Sequence, residues 1–345
     1  MPLFHPGSDP RDEPTRFAET PWRRLRALRH HPPGWAARGM RQTVFNAALE
    51  QAEQLFAAAA NVDYAARPIL AFYGLSQAGR AIAAAATGQD KNAWQLKGHG
   101  IEVPNLGQEP PLSDLVLQDD GKGGSFTTLA RFLSSASLEK PVEFPFLWNC
   151  IPELVSSSIG ATDYDFRVLR LYLSGAMQGM NLIGWVGSVP DRFLEATHAE
   201  VSEYLAKYPG LAGAQLIEDL SSSPAAAFRP TDDGRRIVSV ARSWPAPDGY
   251  DIEAFVRGRR RRYLRDDAHW VFPAPPGADT DIHPLIAWWG VLFALSMLSR
   301  YHPASWLRHL DVSSQSTAVP LELALDAALE VCPQLILDGI LEVSQ

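Results

Sequence analysis

The stretch Gly74-Leu75-Ser76-Gln77-Ala78-Gly79 follows an apolar run, Ile69 to Tyr73, and precedes an alanine-rich segment. If that run is a strand, a tight elbow into a helix lifts the Ser76 hydroxyl into the position of an activated nucleophile. Ala78 then stands where many such elbows carry a second glycine. Asp279 or Asp281, followed by His283, would supply acid and base in the expected chain order. The competing reading is structural. Mostly helical sequence precedes the run, whereas a hydrolase sheet needs several strands first, and on a helix Ser76 is a small residue on a buried face.

A second pattern is an arginine followed a turn or two later by a histidine, which places a phosphate-binding charge beside a proton-transfer group. Arg24 with His30, Arg26 with His31, Arg192 with His198 and Arg262 with His269 all fit. Such pairs arise by chance, and Leu25, Ala27, Phe193 and Tyr263 stand directly after the arginines, where helical ribonuclease sites favour a polar residue. Arg192 and His198 fall on one expected helix, Asp191 to Lys207, where a solvent-facing pair is the plainer role.

Two basic clusters carry aromatic residues: Arg23, Arg24, Arg26 and Arg29 with Trp22, and Arg257, Arg259, Arg260, Arg261, Arg262 and Arg265 with Tyr263. Guanidinium groups bind phosphates in a bidentate manner and stack on bases, so the second run is a candidate phosphate or nucleic-acid contact. Asp266 and Asp267 directly after it favour a solvated helix face instead. His99, between Gly98 and Gly100, can reach into a pocket or cap a turn. Arg300 closes a wholly apolar segment, either facing the helix dipole or aimed into a site shared with His99. Metal spacings (HxxxH, HExxH, CxxC) are absent, and GKGG at Gly121 to Gly124 lacks the following Ser or Thr of a phosphate-binding loop, so neither metal nor cofactor is expected.

These groups must be positioned by a folded scaffold. The chain has 345 residues, 46% hydrophobic and 20% charged, which is the balance of a protein that buries a core. Acidic residues outnumber Lys and Arg by 39 to 31, so a global positive field for nucleic acid is excluded and any such site is a local patch. Two cysteines exclude a disulfide framework and fit a reducing, cytoplasmic setting. The longest apolar run, Leu285 to Leu298, is too short to cross a hydrocarbon layer of about 30 Å and is read as a buried helix, so no membrane role is expected.

Apolar residues at Val44, Phe45, Ala48, Leu49, Ala52 and Phe56 predict a helix over 41–60. Pro68 opens a second one running to about Ala86, in which Gly74 and Gly79 each cost about 1 kcal/mol and mark close approach of another backbone. Gly, Pro and Asp between Lys97 and Gly124 read as short strands and loops. Strand-like runs at Phe166 to Leu173, Leu182 to Val189 and Arg236 to Trp244 surround the Asp191 to Lys207 helix. After Pro284 the pattern is helical again through Pro320 to Val331, with Pro303 and Pro333 at turns. The expected fold is predominantly helical α+β: a bundle built from the N- and C-terminal segments around a mixed α/β central region. Its parts are a flexible lead-in over 1–20, a helical part with a strand and loop segment over 21–137, the mixed region over 138–283, and helices over 284–345 that pack back on the N-terminal part.

RPILAFYGLSQAGRAI (Arg67 to Ile82), GHGI (Gly98 to Ile101), GGSF (Gly123 to Phe126), SMLSRYHPASW (Ser296 to Trp306) and PQLIL (Pro333 to Leu337) resemble, in order and spacing, the YaaC-like family of bacterial proteins. The resemblance rests on Tyr73, Gly74, His99, Gly100, Phe126, Arg300, Tyr301, Pro303 and Trp306; the stretch from about Leu138 to His283 adds nothing to it. It implies no established activity. The helical framework is similar to compact bundles used by bacterial toxin and defence proteins, which is analogy of fold alone. The expectation is a non-catalytic interaction or effector component that contacts a protein partner or nucleic acid through the 257–265 arginine run, in a setting such as stress or phage defence and as monomer or homo-oligomer. The alternative is an enzyme, either a serine hydrolase using Ser76 or a helical ribonuclease using an Arg and His pair.

Overall fold

The computed structural model describes residues 20–87, 92–157, 159, 166–178, 181–194, 196–216, 226–230, 236–245, 261–262 and 269–345. Thr20 accepts the Arg23 amide and Pro21 supplies a pre-set first turn, which starts α1 (Pro21–His30). Helix α2 (Gly39–Ala60) buries Phe45, Ala48, Leu49, Ala52, Phe56 and Ala59, the stripe its spacing predicts. Helix α3 (Arg67–Ala85) turns back against it, pinned at its start by Arg67, which donates to the Ala59 and Val62 carbonyls. At its other end Arg41, buried between the Trp35 and Trp94 rings, donates to the Ala84 and Ala86 carbonyls and so caps α3. Burial lowers the Arg41 pKa, and replacing Arg41 with Met should cost about 1 to 3 kcal/mol in urea unfolding, because those carbonyls lose their charged donor.

The two glycines of α3 do mark close approach, but of aromatic rings rather than a second backbone. A Cβ at Gly74 would lie 2.8 Å from the Phe56 ring, and one at Gly79 would lie 2.6 Å from the Trp289 ring. Three short strands, β1 (Ile101–Glu102), β2 (Val116–Asp119) and β3 (Val142–Glu143), form an antiparallel sheet in that order, with α4 (Ser125–Phe132) and α5 (Phe144–Asn149) beside it.

The second sheet is antiparallel too. Its strands are β4 (Leu169–Gln178), β5 (Asn181–Val189), β6 (Gln215–Leu216), β7 (Ala226–Pro230), β8 (Arg236–Pro245), β9 (Arg261–Arg262) and β10 (His269–Val271), in the order β6-β8-β5-β4-β10-β9, with β7 also on β8. The helix expected over Asp191 to Lys207 is broken. Residues Asp191–Leu194 make a single tight turn, and α6 (His198–Leu205) starts only where Thr197 and Glu200 form a reciprocal capping box. A smaller core, with Leu169, Val186, Val201, Tyr204 and Tyr208, joins α6 to this sheet.

Helix α7 (Pro284–Tyr301) is buried along nearly its whole length. Helices α8 (Pro303–His309) and α9 (Ala318–Val343) follow it. Helix α3 packs on α2, α7 and α9, so the N- and C-terminal segments share one apolar cluster, and the fold is the predominantly helical α+β arrangement expected. Pro333 does not sit at a turn as expected. Helix α9 runs through it, because Leu325, Ala328 and Val331 before it and Leu335, Ile336 and Ile340 after it continue one buried face, whose burial outweighs the missing amide bond.

Among the described residues no helix is long and apolar enough to cross a membrane. Cys150 and Cys332 are fully buried, and burial pushes both thiols well above their ordinary range. A thiol-disulfide reagent should therefore label neither in the folded protein and both in denaturant.

Candidate functional site

The His99 and Gly124 segments clasp each other backbone to backbone. Gly100 adopts φ +73°, and a Cβ there would lie 2.8 Å from the Gly124 Cα, so both positions need glycine. The Ser125 hydroxyl donates to the Gly98 carbonyl at 2.7 Å, and the Phe126 amide donates to the His99 carbonyl at 2.9 Å. The His99 backbone thus satisfies one of the orphan donors that begin α4, while the buried Phe126 ring anchors that helix.

The His99 imidazole projects over Phe72 of α3 and Phe293 of α7, with ring centroids 5.9 and 5.6 Å away. Its nitrogens bond to no described residue. Burial against these rings, and then the Arg300 charge, lower its pKa, while Asp120 in the turn before α4 acts the other way. The ring is therefore neutral at neutral pH. Because the unfolded chain takes up this proton first, the free protein loses stability as the pH falls through and below the ordinary histidine range near 6.5.

Arg300 lies two turns beyond Phe293 on the same face of α7. It donates to the Tyr73 hydroxyl at 2.8 Å and to the Tyr301 hydroxyl at 2.9 Å, with its guanidinium over both rings. Among the described residues no carboxylate pairs with it. The end of α7 is held by two further donors: the Ser299 hydroxyl and the Trp306 indole both reach the Ala65 carbonyl, at 2.7 and 3.0 Å. Pro303 opens α8. Glu109, in left-handed backbone at φ +47°, lies 3.2 Å from His302 and 3.3 Å from Arg308. Those partners, His302 foremost, hold its carboxyl below the usual range. Trp306→Phe should cost about 1 kcal/mol in urea unfolding, the net worth of the lost hydrogen bond.

The structure thus brings Tyr73, His99, Arg300 and Tyr301 to one half-open face, and places Gly74 against Phe56, Gly100 against Gly124, Phe126 and Trp306 in the core and Pro303 at the exposed start of α8. Ser76 sits in the interior of α3, one turn beyond Phe72 and Tyr73, half-buried and bonded to no described residue. The residues from Ile69 to Tyr73 are helical, so the strand and elbow are not formed. The reason is Pro68 at the first turn followed by good helix formers. His283 is not available as its base: Nδ1 accepts the Leu285 amide at 3.0 Å to cap α7, and Nε2 faces Glu342 at 3.4 Å.

Arg24 and His30 share α1, and His31 follows it as the C-cap after Arg26, whereas the other two Arg and His pairs do not share a helix. Arg192 lies in the turn before α6, exposed and over the Phe193 ring, and His198 begins the helix, so the pair does not share one. Arg262 and His269 are backbone register partners on β9 and β10 rather than neighbours along a helix. On α1, Arg26 and Arg29 pair with Glu53 and Glu50 of α2, which makes that cluster an exposed helix face balanced by acids. Arg261 and Arg262 form β9, whereas Arg257, Arg259, Arg260 and Arg265 lie outside the described residues, as does the lead-in over 1–19. Among the described residues no cluster of His, Cys, Asp and Glu has the makings of a metal site.

Phe72, Phe293 and Asp120 escape a reading of the sequence by motif. The usable signal was the seven-residue spacing of Phe293 and Arg300 on one helix face. Fold and site together define a mainly helical α+β protein whose first and last helical segments carry a cationic, aromatic-lined face. The chain belongs to the YaaC-like protein family, whose model matches residues 11–340. No curated protein and no solved structure matches it.

Proposed function

We propose that this YaaC-like protein is a non-catalytic interaction component that binds an anion-bearing partner through the Arg300 face. The observation that carries this reading is the guanidinium itself: part-buried, fixed by two phenols and facing no carboxylate among the described residues. A cation preorganised in this way gains most when a ligand supplies the missing charge. The 257–265 arginine run is a second, sequence-independent contact to the same partner. A role in bacterial stress or defence is part of the proposal only by analogy of fold. Hydrolysis by Ser76 finds no support, because a serine inside a helix lacks the exposed elbow that activates it.

Fluorescence anisotropy with labelled single-stranded RNA and DNA across a salt series tests the reading. Wild type should bind at low salt with affinity falling as salt rises, and Arg300→Gln should weaken binding about tenfold or more. Alanine at Arg259, Arg260, Arg261 and Arg262 should flatten the salt slope. No binding at low salt, or unchanged binding in Arg300→Gln, would end it.

A further inference from the structure

Resting on that reading, we infer that the Arg300 site takes a terminal phosphate of a single-stranded nucleic acid, with the adjoining base stacked on Tyr301. The inventory of donors leads there. Arg300 donates to both phenol oxygens, so each phenol keeps its own O–H hydrogen for an outside acceptor. The guanidinium has five N–H groups and spends two in this way. A neutral His99 adds one N–H, and no described residue bonds it. The face therefore offers a guanidinium, two phenols and an imidazole as donors. An oxyanion with several peripheral oxygens satisfies such a set, and a terminal phosphate presents more of them, and more charge, than an internal diester.

Two observations favour a nucleic acid over a phosphorylated peptide. Tyr301 is 57% exposed beside the guanidinium, which gives a base a ring to stack on. The Phe72 and Phe293 rings fix the His99 plane next to it, so the aromatic surface is already ordered. The charged groups acting on His99 are Arg300 from α7 and Asp120 from the turn before α4. A dianion on Arg300 adds negative charge to that set, so binding draws a proton onto His99, and the His99 contribution grows as the pH falls while the phosphate's own protonation near about pH 6 acts against it.

Two oligonucleotides of one sequence, one with a terminal phosphate and one with a terminal hydroxyl and both labelled at the opposite end, separate the possibilities by anisotropy, with a phosphoserine peptide as the third arm. The phosphorylated end should bind about tenfold tighter, and Arg300→Gln and Arg300→Lys should both erase that difference, since the single ammonium nitrogen of lysine does not reproduce the two-nitrogen fork that holds both phenols. His99→Gln should weaken binding more at about pH 5.5 than at about pH 7.5, a difference that the phosphate's own titration, common to both proteins, cannot produce. Tyr301→Leu should weaken the phosphorylated oligonucleotide, by about fivefold or more, and more than Tyr301→Phe, which loses the phenol but keeps the stacking ring. Equal affinity for the two ends, with Arg300 still required, would overturn the terminal-phosphate inference and leave the proposed function standing. Loss of all oligonucleotide binding would take both down. Tighter binding of the phosphoserine peptide than of the phosphorylated oligonucleotide would overturn the nucleic-acid assignment.

Discussion

Gly100→Ala should lower the unfolding free energy by about 3 kcal/mol or more and remove the His99 contribution to ligand binding as well. Two costs add. The φ of +73° penalises any Cβ by about 1 to 2 kcal/mol, and the new methyl meets the Gly124 Cα and carbonyl carbon at 2.8 Å. Both neighbours are backbone, so no side chain can swing aside. Relief requires the clasp to open, which breaks the Phe126 amide bond to the His99 carbonyl and lets the imidazole leave its seat on Phe72 and Phe293. In urea the midpoint should fall by about 1 M or more. A wild-type midpoint with intact binding would show that the loop accommodates the methyl and that the glycine requirement is misread.

The second large effect centres on Trp289. Its ring is fully buried, lies edge-on to Phe72 at 5.9 Å and fills the space that Gly79 leaves open. Trp289→Ala removes that ring from a site whose walls are helices, and should cost about 3 to 5 kcal/mol. Trp289→Phe is the informative partner. The indole N–H is buried with no hydrogen-bond partner among the described residues, so the native protein already bears the desolvation of that donor. Phenylalanine removes the donor and keeps most of the apolar volume, so this variant should fall within about 1.5 kcal/mol of wild type. If Trp289→Phe proved as damaging as Trp289→Ala, the indole N–H would have a partner after all, a buried water being the first candidate.

The local elements were readable because local rules decide them. Spacing alone identifies α2, and proline followed by alanine identifies α3. Where reading by rule went astray, tertiary burial or a short-range cap had the stronger hold. Pro333 is carried inside α9 by apolar residues on both sides, and the Thr197 to Glu200 capping box starts α6 later than the acidic stretch before it implied. The candidate site was harder still. His99 and Arg300 could be singled out one at a time, but nothing local says that Tyr73 would meet a residue from the far end of the chain, since that contact depends on α7 lying against α3. The glycine pair at 100 and 124 is similar: each reads as a loop residue until the other is placed beside it.

Ala65, at the threshold of α3, receives donors from Ser299 and Trp306, and the buried face of that helix is covered by α7 and α9. During translation the first hairpin therefore emerges long before its lid exists. Its alanine-rich side and Phe72 stay uncovered until residues 284–343 have been made, so closing this core is a long-range, high-contact-order event that leaves apolar surface exposed on the nascent chain meanwhile.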